Sequence, residues 1–157
     1  MRLATLAVGL LLAAAHALPA AAETYKTPQA LLKALYAFSL HSEDGDPDAP
    51  SLYSGFFSDH LNGLIKADRD KTPEGEIGAL DFDPVIAGQD GQPSDLKIGQ
   101  PLILDNSAEV EVEFINFEPV KLHYTLVKQG GGWKVDDIAK QDGEYPWSLG
   151  AIFAGGQ

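Results

Sequence analysis

Strict alternation of apolar and polar side chains runs through the last third of the chain. In AEVEVEFINF, Ala108, Val110, Val112 and Phe114 take one side, and Glu109, Glu111 and Glu113 take the other. In VKLHYTLVK the set Val120, Leu122, Tyr124 and Leu126 alternates with Lys121, His123 and Thr125. A two-residue period belongs to a strand with one buried face and one wet face. With DLKIGQPLIL before these runs and GWKVDDI after them, Asp95 to Ile138 predicts an antiparallel sheet of about four strands. Glu118-Pro119 marks the first turn. Gly130-Gly131-Gly132 marks the second, because glycine takes positive φ freely. Glutamates on the wet face then gain Lys121 and His123 as cross-strand neighbours. Trp133 and Val135 point to one face, and Ile138, three residues on, breaks the period. That break implies a bulge or a strand end at Asp136-Asp137.

Upstream the apolar period lengthens to that of a helix. Thr27-Pro28 is a start signal, with threonine as N-cap and proline at the first helical position. Leu31, Leu35 and Phe38 then form a stripe with Leu32 and Tyr36 beside it. The helix stops before SEDGDPDAP, a cluster of turn formers. A second, short helix follows, capped by Ser58 or Asp59 and carrying Leu61, Leu64 and Ile65. Phe57 precedes the cap, where an apolar residue packs back across the first turn. From Lys66 to Glu76 the chain reads as a hydrophilic loop. Then IGALDFDPVIAGQDGQP mixes Leu80, Phe82, Val85 and Ile86 with acids, while Pro84 and Gly88 forbid a regular element. A segment this apolar and this irregular is expected to lie pinned on the core with its polar groups paired. The closing GEYPWSLGAIFAGGQ reads as a short tail that docks Trp147, Leu149 and Ile152.

The N-terminus reads differently from the rest. Met1-Arg2, an apolar run from Leu3 to Ala15, and Ala20 and Ala22 at small-residue positions make a signal peptide over residues 1–22, cleaved after Ala22. The apolar run is too short for a membrane anchor, which needs roughly 18–20 residues. Residues 23–157 are then one α+β domain, periplasmic or secreted. The chain has no cysteine, so its core must hold without disulfides. Its formal net charge of −12 argues against nucleic acid and against anionic lipid surfaces. The same sign suits a solvated, highly soluble surface or a basic partner.

Motifs of specific chemistry are scarce. Asp44, Asp46 and Asp48 begin like a calcium loop. Such a loop needs glycine at its sixth position and glutamate at its twelfth, and Ala49 and Gly55 stand there. His41, His60 and His123 lack the spacing of a zinc site. No G-x-S-x-G, Walker-type loop, H-E-x-x-H or dinucleotide fingerprint occurs, and no cofactor is expected. Two candidate constellations remain. Aromatics on the inward-facing sets (Tyr36, Phe114, Tyr124 and Trp133) either fill the core or line an apolar pocket. Asp81, Asp83, Gln89 and Asp90 either hold a turn by bonding backbone N–H groups or orient a ligand, a cation or a proton.

The order of elements, GALDFDPVIAGQD and the strand ending GGGWKVDDI resemble a family of exported bacterial domains. Those domains are similar to the nuclear-transport-factor-2-like, or cystatin-like, cone fold. The resemblance spans roughly Thr27 to Ile152, and its most particular motifs are DFDP (Asp81–Pro84) and GQD (Gly88–Asp90). It implies helices packed on a curved antiparallel sheet, with a pocket between them, and assigns no activity. Three functions follow as expectations. The first is an exported module that binds a small ligand or a partner protein. The second is an acid–base enzyme using Asp83 or Asp90 with Tyr124. The third is an immunity-type protein that neutralises another envelope protein.

Overall fold

The computed structural model describes residues 24–41 and 52–155. The expected signal peptide and the Asp44–Asp48 loop lie outside the described residues. Helix α1, Pro28–Ser39, starts as its sequence predicts: the Thr27 hydroxyl accepts from the Ala30 N–H at 3.1 Å. Leu31, Leu32, Leu35 and Tyr36 are its buried face, while Phe38 turns outward against Tyr53 and Phe56. Helix α2, Asp59–Lys71, is capped by Ser58, and Leu61 and Ile65 anchor it to the core. It runs past Lys66, where the sequence suggested a loop. Lys66 and Asp70, four residues apart, pair along its wet side, and Thr72-Pro73 ends it.

Among the described residues the sheet has six strands rather than about four. DLKIGQPLIL is not one strand. Gly99-Gln100-Pro101 splits it into β1, Ser94–Ile98, and β2, Leu102–Leu104. Both pair with the same edge of β3, Ser107–Asn116. A side chain at Gly99 would lie 2.9 Å from the Glu111 carbonyl, so glycine lets the two pieces meet β3 closely. Strand β4, Glu118–Gln129, pairs with β3 along its length, and β5, Gly132–Lys140, pairs with β4. The sixth strand, β6, is Trp147–Ser148, and it leads straight into helix α3, Leu149–Phe153.

The alternation predicts the faces correctly. Val110, Val112, Leu122, Tyr124 and Leu126 are buried under α1 and α2. On the opposite face Glu113 stands across from Lys121 and Glu111 across from His123. Lys121 bridges Glu113 at 3.0 Å and Glu111 at 3.8 Å. That lysine holds the Glu113 carboxyl below the usual range. The β4–β5 turn is Gly130-Gly131, both at positive φ. The β3–β4 turn lies one residue earlier than Glu118-Pro119. Phe117 makes it alone, at φ 60°.

The irregularity predicted at Asp136-Asp137 is a bulge, seen as a register shift against Thr125 and Leu126. The bulge places two successive carboxylates where they serve other elements. Asp136 accepts from the Ser58 hydroxyl at 2.5 Å, at the start of α2. Asp137 accepts from the Ile138 N–H and, at 3.0 Å, from the Gly150 N–H in the first turn of α3. The free edge of β5 is filled by backbone bonds to Tyr25 and to Phe56 and Ser58, and by β6. The tail docks as predicted, with Leu149 buried and Trp147 and Ile152 against the core.

Replacing Asp137 by Ala removes the carboxylate that accepts from the Ile138 and Gly150 amides, while Ser148 still caps α3. A loss of about 1–2 kcal/mol is expected in urea unfolding. Glu109→Ala, on the wet face, should change stability by less than about 0.5 kcal/mol.

Candidate functional site

Two places deserve the name of a site: the junction of the core with the DFDPVIAGQD segment, and the sheet face turned away from α1 and α2. The junction is built around Asp83. Its backbone closes a small loop with Gly88 through N–H to carbonyl bonds of 2.8 and 3.2 Å. Its Oδ1 accepts from the Val85 N–H at 2.8 Å, the turn-holding geometry of an aspartate two residues before its donor. Its Oδ2 accepts from the Tyr53 hydroxyl at 2.6 Å, and Ser39 Oγ stands 3.2 Å from that same hydroxyl. Burial raises the Asp83 carboxyl above the ordinary aspartate value, against hydrogen bonds from Tyr53, Val85 and Ile86 that lower it. Burial also pushes Tyr53 well above the usual tyrosine range, and the nearby Asp83 charge adds to the effect.

Asn116 holds the other side of the loop. Its buried amide donates to the carbonyls of Ile86, at 3.0 Å, and Asp90, at 3.2 Å. Gly91, at φ 109°, is the position that permits this. A Cβ there would lie 1.9 Å from the Asn116 Oδ1. The irregular segment is thus pinned with its polar groups paired, as its composition implies.

The candidate residues do not form one constellation. Asp83 points inward, whereas Asp81, Gln89 and Asp90 are exposed. Tyr36 and Tyr124 do meet, hydroxyl to hydroxyl at 3.0 Å, in the dry core. Burial raises both far above the ordinary tyrosine value. Tyr36 also contacts the Phe114 ring, with centroids 5.8 Å apart. Trp133 is 3% exposed, with Lys128 Nζ 5.2 Å from its ring centre. These aromatics are core. The proton-transfer pair of Asp83 or Asp90 with Tyr124 is not assembled: Tyr124 is bonded to Tyr36, and both Asp83 oxygens are occupied. Sequence reasoning missed Tyr53, Ser39 and Asn116. Tyr53 follows a run of turn formers that shows no period, and Asn116 ends a strand whose pattern drew the eye to its apolar partners.

The outer face of the sheet has a different character. A groove of about 830 Å³ crosses it, floored by Glu109, Glu111, His123 and Thr125. Asp137 and Trp147 close one side, and the β1–β2 junction closes the other. Beyond it along the same strands lies a second hollow of about 750 Å³, beside Glu113, Ile115, Pro119 and Lys121. This face is where the alternation sends its charged side chains, so its chemistry can vary without touching the core.

Two outcomes test the junction. Asp83 has a folded pKa above its unfolded value of about 3.9. Its contribution to stability is therefore complete below about pH 4 and is lost as pH rises through the folded value. Thermal melts across that window should show the wild type losing stability relative to Asp83→Asn as pH increases; Asp137, raised likewise by burial, is common to both proteins and cancels. Separately, Asn116→Ala strands the Ile86 and Asp90 carbonyls, and denaturant melts should show a loss of about 1–3 kcal/mol.

Comparison with known proteins places the fold. No protein-family model matches the chain and no curated protein sequence matches it, so the cone-fold family rests on the resemblance of its motifs alone. A chain from the type VI native effector–immunity complex Tae3–Tai3 of Ralstonia pickettii is similar in structure, with a TM-score of 0.50 and 21% identity. The alignment covers 76% of this chain and 98% of that one. At that identity the likeness is one of fold: helices packed on an open antiparallel sheet.

Proposed function

We propose that this chain is an exported immunity-type protein that binds and neutralises a basic partner protein on the outer face of its sheet. The observation that carries this reading is the groove over Glu109 and Glu111, uncovered by α1 or α2, with the second hollow further along the same two strands. The net charge of −12 favours a partner of opposite sign and speeds its approach. The Ralstonia chain that shares the fold comes from an effector–immunity complex, which supports a protein partner over a small molecule. The aromatics once candidates for a ligand pocket are consumed by the core. The leader expected over residues 1–22 places the encounter in the cell envelope, and none of the described helices is long and apolar enough to cross a membrane.

The test is capture of a partner from the protein's native envelope extract by the tagged chain. It is run at about 50 mM and about 500 mM salt, between which the screening length falls from about 14 Å to about 4 Å. Retention of one basic protein at low salt, its release at high salt, and its loss from the variant carrying Glu109→Lys and Glu111→Lys are the expected results. Circular dichroism confirms that the variant is folded. An empty resin, or a partner that the double variant keeps equally well, sinks the reading.

A further inference from the structure

The β3–β4 turn carries an aromatic residue where a glycine would be easier. Phe117 sits at φ 60°, the left-handed region in which a side chain other than that of glycine is strained. Glycine is the residue that ordinarily takes such a conformation, because it has no Cβ. Phe117 is also 85% exposed, the highest value among the large apolar residues described as exposed. Strain and exposure together are an expensive combination for a residue that contributes little to the core. Local strain persists where the surroundings over-determine it, and it concentrates at binding and switch positions.

The surroundings here are stiff. Asn116, the preceding residue, is buried and donates to the Ile86 and Asp90 carbonyls, so the turn is fastened to the DFDPVIAGQD loop. Gly91 leaves room beneath the turn, since a Cβ there would lie 2.9 Å from Phe117 Cε2. The backbone that carries the ring is therefore fastened before any partner arrives, which limits the entropy lost on binding. Ile115 and Pro119 on either side are exposed as well, as are the acids Glu118, next in the chain, and Asp90, whose carbonyl accepts from Asn116. Glu109, Glu111, Glu113 and Ile115 step along the outer side of β3 toward it. At roughly 3.4 Å per residue, Glu109 to Phe117 spans about 27 Å, so the groove, the hollow and the turn follow one another along the same side of β3.

We propose that Phe117 is a preset anchor, a ring held out on a rigid turn to enter an apolar pocket rimmed by basic residues on the partner protein. It rests on the reading of the outer face as a partner surface and names the residue that carries most of its affinity. Buried aromatic anchors dominate such interfaces, while acidic residues around them set partner choice and approach rate.

Phe117→Gly tests it, because glycine suits the backbone at that position. The variant is compared with the wild type in thermal unfolding and in titration of the purified basic protein that the wild type captures. Melting at the wild-type temperature or above, with at least a tenfold weaker Kd and an unchanged salt dependence, is the expected result. Melting clearly below the wild type would show that the ring supports the fold, and it overturns the proposal. Binding within twofold of the wild type overturns it too, and leaves the groove reading intact. If the wild type captures no partner, both readings fall together.

Discussion

One extra residue in β5 ties the helices to the sheet. The bulge at Asp136-Asp137 breaks the two-residue period and turns two consecutive carboxylates toward groups that the regular strand could not reach. One receives the hydroxyl that caps α2, and the other receives the first amides of α3. The same strand takes backbone bonds from Tyr25, Phe56 and Ser58 along its outer edge. Chain segments from both ends of the described protein thereby converge on β5. Without the bulge the Ser58 hydroxyl and the Gly150 amide would lose their carboxylate acceptors, and the covering layer would depend more on its apolar contacts for its position. A bulge of this sort is a fixture of the architecture, because removing it would flip every later side chain to the wrong face.

The fixture separates two jobs. The α1 and α2 side is packed: among the described residues Tyr36, Tyr53, Phe57, Tyr124 and Trp133 fill it, and the buried polar side-chain atoms find partners. Among the described residues the opposite side has no such covering. Its acids and lysines pair loosely across strands, at 3.0 to 3.8 Å in partly exposed positions that contribute little to stability. A sheet built this way can keep a hard interior while presenting an open, charged surface. That division is what the proposed protein-binding role rests on.

How much could be read in advance depended on whether a local rule governed the feature. The strands were legible because alternation is a nearest-neighbour property. That the glutamates of β3 would meet Lys121 and His123 followed from it, whereas the exact pairs depend on the turn at Phe117. Thr27 and Ser58 announced the helix starts, since capping needs only a hydroxyl and three following residues. The bulge showed as a skipped beat before Ile138. What was not legible depended on contacts far apart in sequence. Asp83 was among the candidates, but its partner Tyr53 lies thirty residues away across turn formers. Asn116 looked like the end of a strand, and only the folded chain brings the Ile86 carbonyl to its amide. The break at Gly99-Gln100-Pro101 was visible as residues yet was read through, because both flanking pieces shared the edge of one strand.

The alternation has a consequence for how this protein can change over generations. Side chains at positions 109, 111, 113, 121, 123 and 125 point away from the packed interior, so most exchanges there leave folding untouched. Core positions on the same strands tolerate far less. A lineage under pressure to follow a shifting opponent could rewrite its outward residues one at a time while its inward ones stayed still. Homologues would then share a buried skeleton and little else. The surface that a comparison of sequences finds least alike would be the one on which selection acts most.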